Sequence, residues 1–419
     1  MGTTNRLYIS KELIDCMNEI IYTLMNRNDP VMDVSLLPDS TIFKILTIHN
    51  VHKLPIGIPS PEAADLDKIC DAFKGWWRRN SIPVDRDSIR LGLECLGIDN
   101  INELKILGYG LSLTNQYWMC PKGTEVSWDK INYFTNSFSD AMGEALFNHR
   151  PQRSNNDFAV FFSPDSSADG MLKKKWRIEN NTRMLIKGGT GFLSQEPFNE
   201  FLAYKLFEAA GIPAVPYSVV EENGSICSKC PCFLKENTEL ITAFDLLNAY
   251  PTAYNDTKNI DYYTHYKNVL RRFHILNYEK MLDVMLCIDY LIANTDRHYK
   301  NFGIVHDVDQ DSYWMAPMYD SGTSMWATQM TKNIVPLENI QGRPFSYNSF
   351  IYLDEQITFV SSFTKFHSGV LDSILNEYKN LMSDYSDIPQ DRIHRLCDSV
   401  QQRYSKMLSI LKENHCKIE

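Results

Sequence analysis

No stretch of this 419-residue chain reaches the roughly 18 uninterrupted apolar residues of a membrane-spanning helix. The opening MGTTNRLYISKELIDC has no basic segment leading into an apolar one. A membrane span and a secretory leader are therefore not expected, and a cytoplasmic location is. Positive charge is scarce as well: 42 Lys and Arg face 52 Asp and Glu, a formal net charge of −10, and KKKWR at 173–177 is the one dense basic run. Binding a phosphate backbone needs a clustered basic surface, so no direct nucleic-acid partner is expected. The ten cysteines form one close group, Cys227, Cys230 and Cys232 in CSKCPC, with no second CxxC or HxxxH pair following it. A tetrahedral zinc site lacks its fourth ligand there, and reduced thiols are the expectation. Repeats of 20–50 residues and low-complexity tracts are missing too.

Packing material, by contrast, is plentiful. Hydrophobic residues make up 44% and aromatics 12%, with 22% charged, a composition that buries a core, and the length predicts two or three domains. Apolar spacing over 11–27 (Leu13, Met17, Ile20, Ile21, Leu24) predicts a helix, 31–48 a hairpin about Pro38-Asp39-Ser40, Leu66–Trp77 a helix, and 84–98 another that stops near Gly97. Residues 1–115 read as a small α+β module. Short β-rich runs follow at 157–162, 174–180, 183–189, 214–223 and 230–235, interrupted by a helix over 197–211 between Pro197 and Gly211. From about 240 onward the periodicity is helical.

Against this background LIANTDRHYKNFGIV (291–305) breaks an apolar helix with a dense polar cluster. Asp296 and Asn301 stand five positions apart, the D-x-x-x-x-N spacing in which an aspartate handles the attacking hydroxyl of a phosphoryl transfer and the asparagine binds Mg²⁺. A strand-like SYWMAPM ends shortly afterwards in Tyr319-Asp320-Ser321-Gly322, where Asp320 can supply a second metal ligand. Upstream, Lys187 closes the strand RMLIK, and Glu200 lies thirteen residues on in the first turns of a helix. Taken singly, each has a plainer reading: Lys187 as an exposed strand-end lysine, Glu200 as an acid favoured by the helix dipole, Asp320-Ser321-Gly322 as a turn, His298 as a core histidine. The joint order points instead to phosphoryl transfer.

With IKGGTGFLSQEPFNEFLAYKLFEAAGIPAVPY (186–217), NTDRHYKNFGIV (294–305) and APMYDSGTS (316–324), the chain resembles the HipA-type serine/threonine kinases, a bacterial family with a divergent protein-kinase fold. The likeness is clear over roughly 155–330 and loose over the C-terminal helices. It implies an α+β, bilobal kinase-like fold: an N-terminal α+β module (1–115), a β-rich N-lobe (116–239) with a hinge near 230–239, and a helical C-lobe (240–419). It implies ATP and Mg²⁺ as cofactors, Lys187 steadied by Glu200 on the phosphates, Asp296 as the catalytic aspartate with His298 and Lys300 beside it, and Asn301 and Asp320 on the metal. Phe233 and Leu234 would meet the adenine. No G-x-G-x-x-G loop occurs; 161–176 stands in its place, and family resemblance makes Ser166 or Ser167 a phosphate-contacting or autophosphorylated residue.

The implied partners are a protein Ser/Thr acceptor and a regulatory protein, although FKGWWRRNSIPVDRDSI (73–89) departs from the family's short N-terminal domain. Two other readings stay in play. Phosphatidylinositol kinases also carry a D-R-H-x-x-N loop, so a lipid or small-molecule phosphotransferase is one alternative, weakened by an acidic chain with no basic amphipathic helix. A nucleotide-binding pseudokinase is the other, weakened by retention of Lys187, Asp296, Asn301 and Asp320.

Overall fold

A computed structural model describes residues 20–86, 89–148, 158–190, 193–252, 261–345, 351–385 and 388–419. The chain divides into two compact units, one comprising residues up to Arg183 together with Leu234–Asn237, the other Met184–Phe233 and Thr238–Glu419.

In the first unit, β1 (Ile20–Asn26), β2 (Asp29–Leu36), β3 (Ile42–Ile48) and β4 (Tyr117–Pro121) make an antiparallel sheet in the order β3-β2-β1-β4. The expected helix over 11–27 is thus a strand from Ile20 on, and its earlier part lies outside the described residues. Tyr22, Leu24 and Asn26 are buried while Ile21, Thr23 and Met25 are not, the period of two that a sheet face imposes. The sheet also runs past the expected module boundary at 115, because β4 pairs with β1, Tyr22 opposite Pro121.

Helix α1 (Leu66–Arg79) starts where Asp65 accepts a hydrogen bond from the Lys68 amide and covers the sheet with Ile69, Phe73, Trp76 and Trp77. A second small core gathers Ile89 and Leu93 of α2 (Ile89–Leu96), Leu104 of α3 (Ile101–Leu107), and Met142 and Leu146 of α4 (Ala141–Asn148). Residues 157–162 do not form the expected strand: Phe158–Phe161 is a 3₁₀ turn whose Val160 and Phe161 pack on this core, and residue 157 lies outside the described residues. Strand β5 (Lys174–Glu179) follows where it was expected.

The second unit opens with β6 (Thr182–Gly188, its first two residues in the first unit), then α5 (Glu196–Ala209), β7 (Ser218–Glu222) and β8 (Ser225–Pro231). Strand β8 pairs antiparallel with both β6 and β7. A three-stranded antiparallel sheet joins β9 (Thr238–Thr242), β10 (Gly303–Asp307) and β11 (Ser312–Met315), with β10 central. The helical periodicity expected from about 240 onward therefore starts at α6 (Ala243–Ala249), since Ile241 and Thr242 pair with β10. A Cβ on Gly303 would lie 2.2 Å from the Ile241 carbonyl oxygen, so this close pairing requires glycine. Helices α7 (Tyr262–Arg272), α8 (Tyr278–Leu291), α9 (Val370–Tyr385) and α10 (Gln390–Glu413) complete the unit. Helix α8 is buried almost throughout, which is why its sequence reads apolar on every face.

Candidate active site

Helix α5 carries an anomaly that its composition does not announce. Its N-cap and N-terminal turns bury four polar side chains, Gln195, Glu196, Asn199 and Glu200, among Phe198, Leu202, Ala203, Leu206 and Phe207. Buried polar groups need partners, and those of Glu200 are informative. One of its oxygens accepts from Lys187 Nζ at 2.6 Å and the other from the Ser321 amide at 2.8 Å. The same Nζ lies 2.6 Å from Asp320 Oδ1. Lys187 is only 4% exposed, so it is no surface strand-end lysine. Burial disfavours its charge, yet Asp320 and Glu200 outweigh that and hold its pKa well above the usual lysine value.

Asp320 itself takes a left-handed backbone, φ 58°, and its amide donates to the Tyr217 hydroxyl at 3.4 Å. Two residues on, a Cβ at Gly322 would come within 3.3 Å of the Glu196 backbone and the Glu200 side chain. The loop therefore lies directly against α5.

The polar cluster after α8 folds around Arg297, which is fully buried. Its Nε and Nη2 grip both carboxylate oxygens of Asp289 at 2.9 and 3.0 Å. Nη1 donates to the carbonyls of Asn301 and Tyr319 at 3.0 and 2.6 Å, and Nη2 also reaches Ser321 Oγ at 2.6 Å. One guanidinium thus joins the loop bearing Asp296 and Asn301 to the loop bearing Asp320. Burial opposes its charge and Asp289 more than offsets this, so its pKa is raised. Asn294 completes the frame: its Nδ2 donates to Asp289, and its Oδ1 accepts from the Asp296 amide at 3.0 Å.

Asp296 keeps its carboxylate 39% exposed. His298 Nε2 is 4.0 Å from one oxygen and Arg343 Nη1 is 3.6 Å from the other. Burial pushes the Asp296 pKa up, His298 and Arg343 pull it down, and Asp320 adds to the rise, with a net upward shift. Arg343 is held from both sides: a Cβ on Gly342 would meet Leu353 and the Asn294 carbonyl, and Phe345 packs among Tyr263, Tyr266, Tyr299 and Phe302.

Asn301 Nδ2 donates to the Asp296 carbonyl at 3.0 Å, which leaves its amide oxygen as the end able to ligate. Asp320 and Asn301 offer oxygen donors alone, the set a hard cation prefers. Among the described residues no three or more His, Cys, Asp or Glu side chains gather as a metal site on their own. A Mg²⁺ held by this pair would complete its shell with phosphate oxygens and water, as is usual for that ion.

The other expected site residues are placed as follows. His298 stands beside Asp296, and its Nδ1 is buried without a hydrogen-bond partner. The Lys300 carbonyl accepts from the Tyr319 hydroxyl at 2.8 Å. Phe233 stacks on Tyr319 with ring centroids 5.8 Å apart, next to Asp320 in the chain. Leu234 is buried and groups with the first unit. Ser166 and Ser167 also belong to the first unit, in a buried 3₁₀ turn; their hydroxyls donate to the carbonyls of Ser163 at 3.1 Å and Leu111 at 2.8 Å. Cys227 and Cys230 are buried thiols and Cys232 a half-buried one. Missing from the sequence reading were Asp289, Arg297, Asn199, Gln195 and Arg343. Only Arg297 carried a signal, its place inside the D-R-H motif.

A β-sheet-rich N-terminal region followed by a largely helical one is the bilobal α+β architecture of protein kinases. The model of the family described as HipA-like C-terminal domain matches residues 166–384, more than half of the chain, and the protein belongs to that family. Among solved structures, a chain of the Shewanella oneidensis MR-1 toxin–antitoxin system HipA, HipB and operator DNA complex covers 94% of this chain and 99% of its own. Its TM-score is 0.53 at 13% identity, a likeness of fold. The Helicobacter pylori proinflammatory kinase CtkA aligns over 57% of this chain and 94% of its own, at 17% identity and a TM-score of 0.43. No curated protein matches. Among the described residues no helix is long and apolar enough to cross a membrane.

Proposed function

We propose that this protein is an ATP- and Mg²⁺-dependent kinase of HipA type that transfers the γ-phosphoryl group to a Ser or Thr hydroxyl of a protein. The observation that carries this reading is the Lys187 ammonium lying 2.6 Å from both Glu200 and Asp320, while Arg297 ties the backbone of Asp320 to the loop of Asp296 and Asn301. Phosphoryl transfer asks little covalent chemistry of the protein, and positioning with charge neutralisation supplies most of the rate. Lys187, kept cationic by its neighbours, faces the phosphates. Asp320 and Asn301 would hold Mg²⁺, which would supply charge neutralisation at the phosphates. Asp296 orients the acceptor hydroxyl and takes its proton on a carboxylate oxygen; its raised pKa makes that oxygen a better base than an ordinary aspartate. Lys300 lies on the same loop, where its ammonium would stabilise transferred charge, and His298 stands beside Asp296.

A protein acceptor and a regulatory protein partner are part of the same proposal. Family membership supports both, and HipB is named with the Shewanella chain. The test is incubation with γ-labelled ATP and Mg²⁺, wild type beside Asp296→Ala, with the labelled residue mapped. Label on a serine or threonine that vanishes in the variant supports the reading. Nucleotide binding without any transfer to protein would turn it towards a lipid or small-molecule acceptor, or a pseudokinase. Label on Ser166 or Ser167 would establish autophosphorylation, and its absence there would remove that part of the proposal.

A further inference from the structure

The loop after Asp320 holds an expensive conformation. Asp320, Met325 and Trp326 all have left-handed φ, at 58°, 51° and 52°, a region that side chains with a Cβ rarely occupy and that persists only where the surroundings over-determine it. Those surroundings are a line of buried side chains together with one backbone bond, from the Met325 amide to Ile292 O at 2.7 Å. Asn199 Nδ2 donates to the carbonyls of Gly322 and Ser324 at 2.9 and 2.8 Å. Gln195 Nε2 donates to Met325 O at 2.8 Å. Arg392 Nη2 and Nη1 donate to Trp326 O and Gln329 O at 2.6 and 2.9 Å.

The donors are also joined to one another. Arg392 Nε bonds Gln195 Oε1 at 2.8 Å, Gln195 Nε2 bonds Asn199 Oδ1 at 3.1 Å, and the Tyr378 hydroxyl bonds the same Oδ1 at 2.9 Å. Further along, Arg403 Nη1 holds Pro336 O at 2.9 Å.

We propose that Asn199 and Arg392 are positioning residues: they fix the 321–329 backbone, and through it Asp320, in the metal-binding arrangement without any covalent modification of that segment. The proposal rests on the kinase reading above. Two features carry it. Arg392 is fully buried, and its bonds go to neutral oxygens. Apolar residues of similar volume hold helices together at least as well as a buried charge does, whereas multiple donors aimed at consecutive carbonyls dictate a backbone path. Asn199 also neighbours Glu200 on α5, so the helix that bonds Lys187 and the Ser321 amide anchors this loop as well. Nor is Arg297 available to order the loop around an added phosphate. All five of its N–H donors are engaged, by Asp289, Asn301, Tyr319 and Ser321.

The test combines amide hydrogen exchange with Mg²⁺ titration on the full chain, for wild type, Asn199→Asp and Arg392→Gln, with Arg392→Lys as the conservative variant. Asn199→Asp keeps shape and acceptor oxygen but loses both donors. In wild type without nucleotide, and after phosphatase treatment, peptides spanning 321–329 are expected to exchange as slowly as those of α8. In Asn199→Asp and Arg392→Gln their exchange rises at least tenfold with α8 unchanged. The Mg²⁺ concentration for half-maximal transfer rises at least fivefold, excess Mg²⁺ recovers most of the rate, and Arg392→Lys falls between. A merely structural role would lower the active fraction without shifting the Mg²⁺ dependence.

Fast exchange of this loop in wild type would overturn the proposal, as would unchanged exchange in the variants or activation by phosphate placed on 321–337. The exchange measurement needs no catalysis, so absence of transfer in wild type would sink the kinase reading alone. Loss of protection across the whole chain in one variant leaves the wild type and the lysine variant to decide.

Discussion

Loops 163–170 and 320–329 are both short, with serines and a single glycine each, and the structure uses their side chains in opposite senses. In the first, side chains bond backbone. Ser166 and Ser167 donate to carbonyls, Asp165 accepts from Ser163 Oγ and the Trp176 amide, and Arg86 caps the carbonyls of Ala168 and Gly170. In the second, the carbonyls are taken by donors from α5 and α10, and the Asp320 carboxylate, 38% exposed, is turned towards Lys187. Composition does not distinguish a loop that is packed from one that presents a functional group. The exposure a side chain keeps once its hydrogen bonds are made does.

The sharpest way to break that contrast is to remove the presented group. Asp320→Ala and Asp296→Ala are each expected to cut phosphoryl transfer about 10³-fold, within the range a positioned acid–base group contributes. Asp320→Ala also weakens Mg²⁺-dependent nucleotide binding more than Asp296→Ala does, as calorimetric titration would read. Equal retention of activity in both would refute the assignment. Next in size, Arg297→Gln strands the Asp289 carboxylate and is expected to cost about 3 kcal/mol of stability in denaturant unfolding, the low end for breaking a buried ion pair. A loss within experimental error would mean that the two loops are held together by other contacts.

On the packed loop the probe is pH. Burial pushes Asp165 up to about 7, against an ordinary value of 3.8. The folded state therefore binds the proton more tightly than the unfolded chain does. Its contribution is favourable at low pH and is lost as pH rises from about 4 to about 7, at no more than about 1.4 kcal/mol per pH unit. Asp165→Asn is expected to flatten that fall, measured as unfolding midpoints across the window; an unchanged slope would place the titration elsewhere. The smallest effect belongs to Arg343→Ala. Arg343 pulls the Asp296 pKa down against burial, so its removal raises that pKa, the base ionises at higher pH, and the acid limb of the transfer rate moves upward. A limb that stays in place would show that Arg343 does not act on Asp296.

How much of this was legible depended on how local the cause was. Helix α1 announced itself through its own periodicity and the Asp65 cap. Strand β1 did not, because Ile20, Ile21 and Leu24 fit a helical stripe equally well and β4, which pairs with it, lies some 95 residues away. Lys187, Glu200, Asp296, Asn301 and Asp320 stood out as candidates because their residue types stand at fixed offsets within motifs, and the structure brings Lys187, Glu200 and Asp320 into direct contact. Asn199, Gln195 and Arg392 were not readable. Their bonds to other elements span 61 to 197 residues, and an asparagine or glutamine beside a helix start looks from sequence like an ordinary surface residue.

The lysine triad has a consequence for how a ligand would arrive. One ammonium already stands between two carboxylates, and Asp320 and Glu200 hold its pKa well above the usual lysine value. Under the proposed reaction an incoming polyphosphate therefore meets a cation that is already charged. Lys187 is a contact that changes partner, releasing Asp320 for a phosphate oxygen while it stays an ammonium throughout.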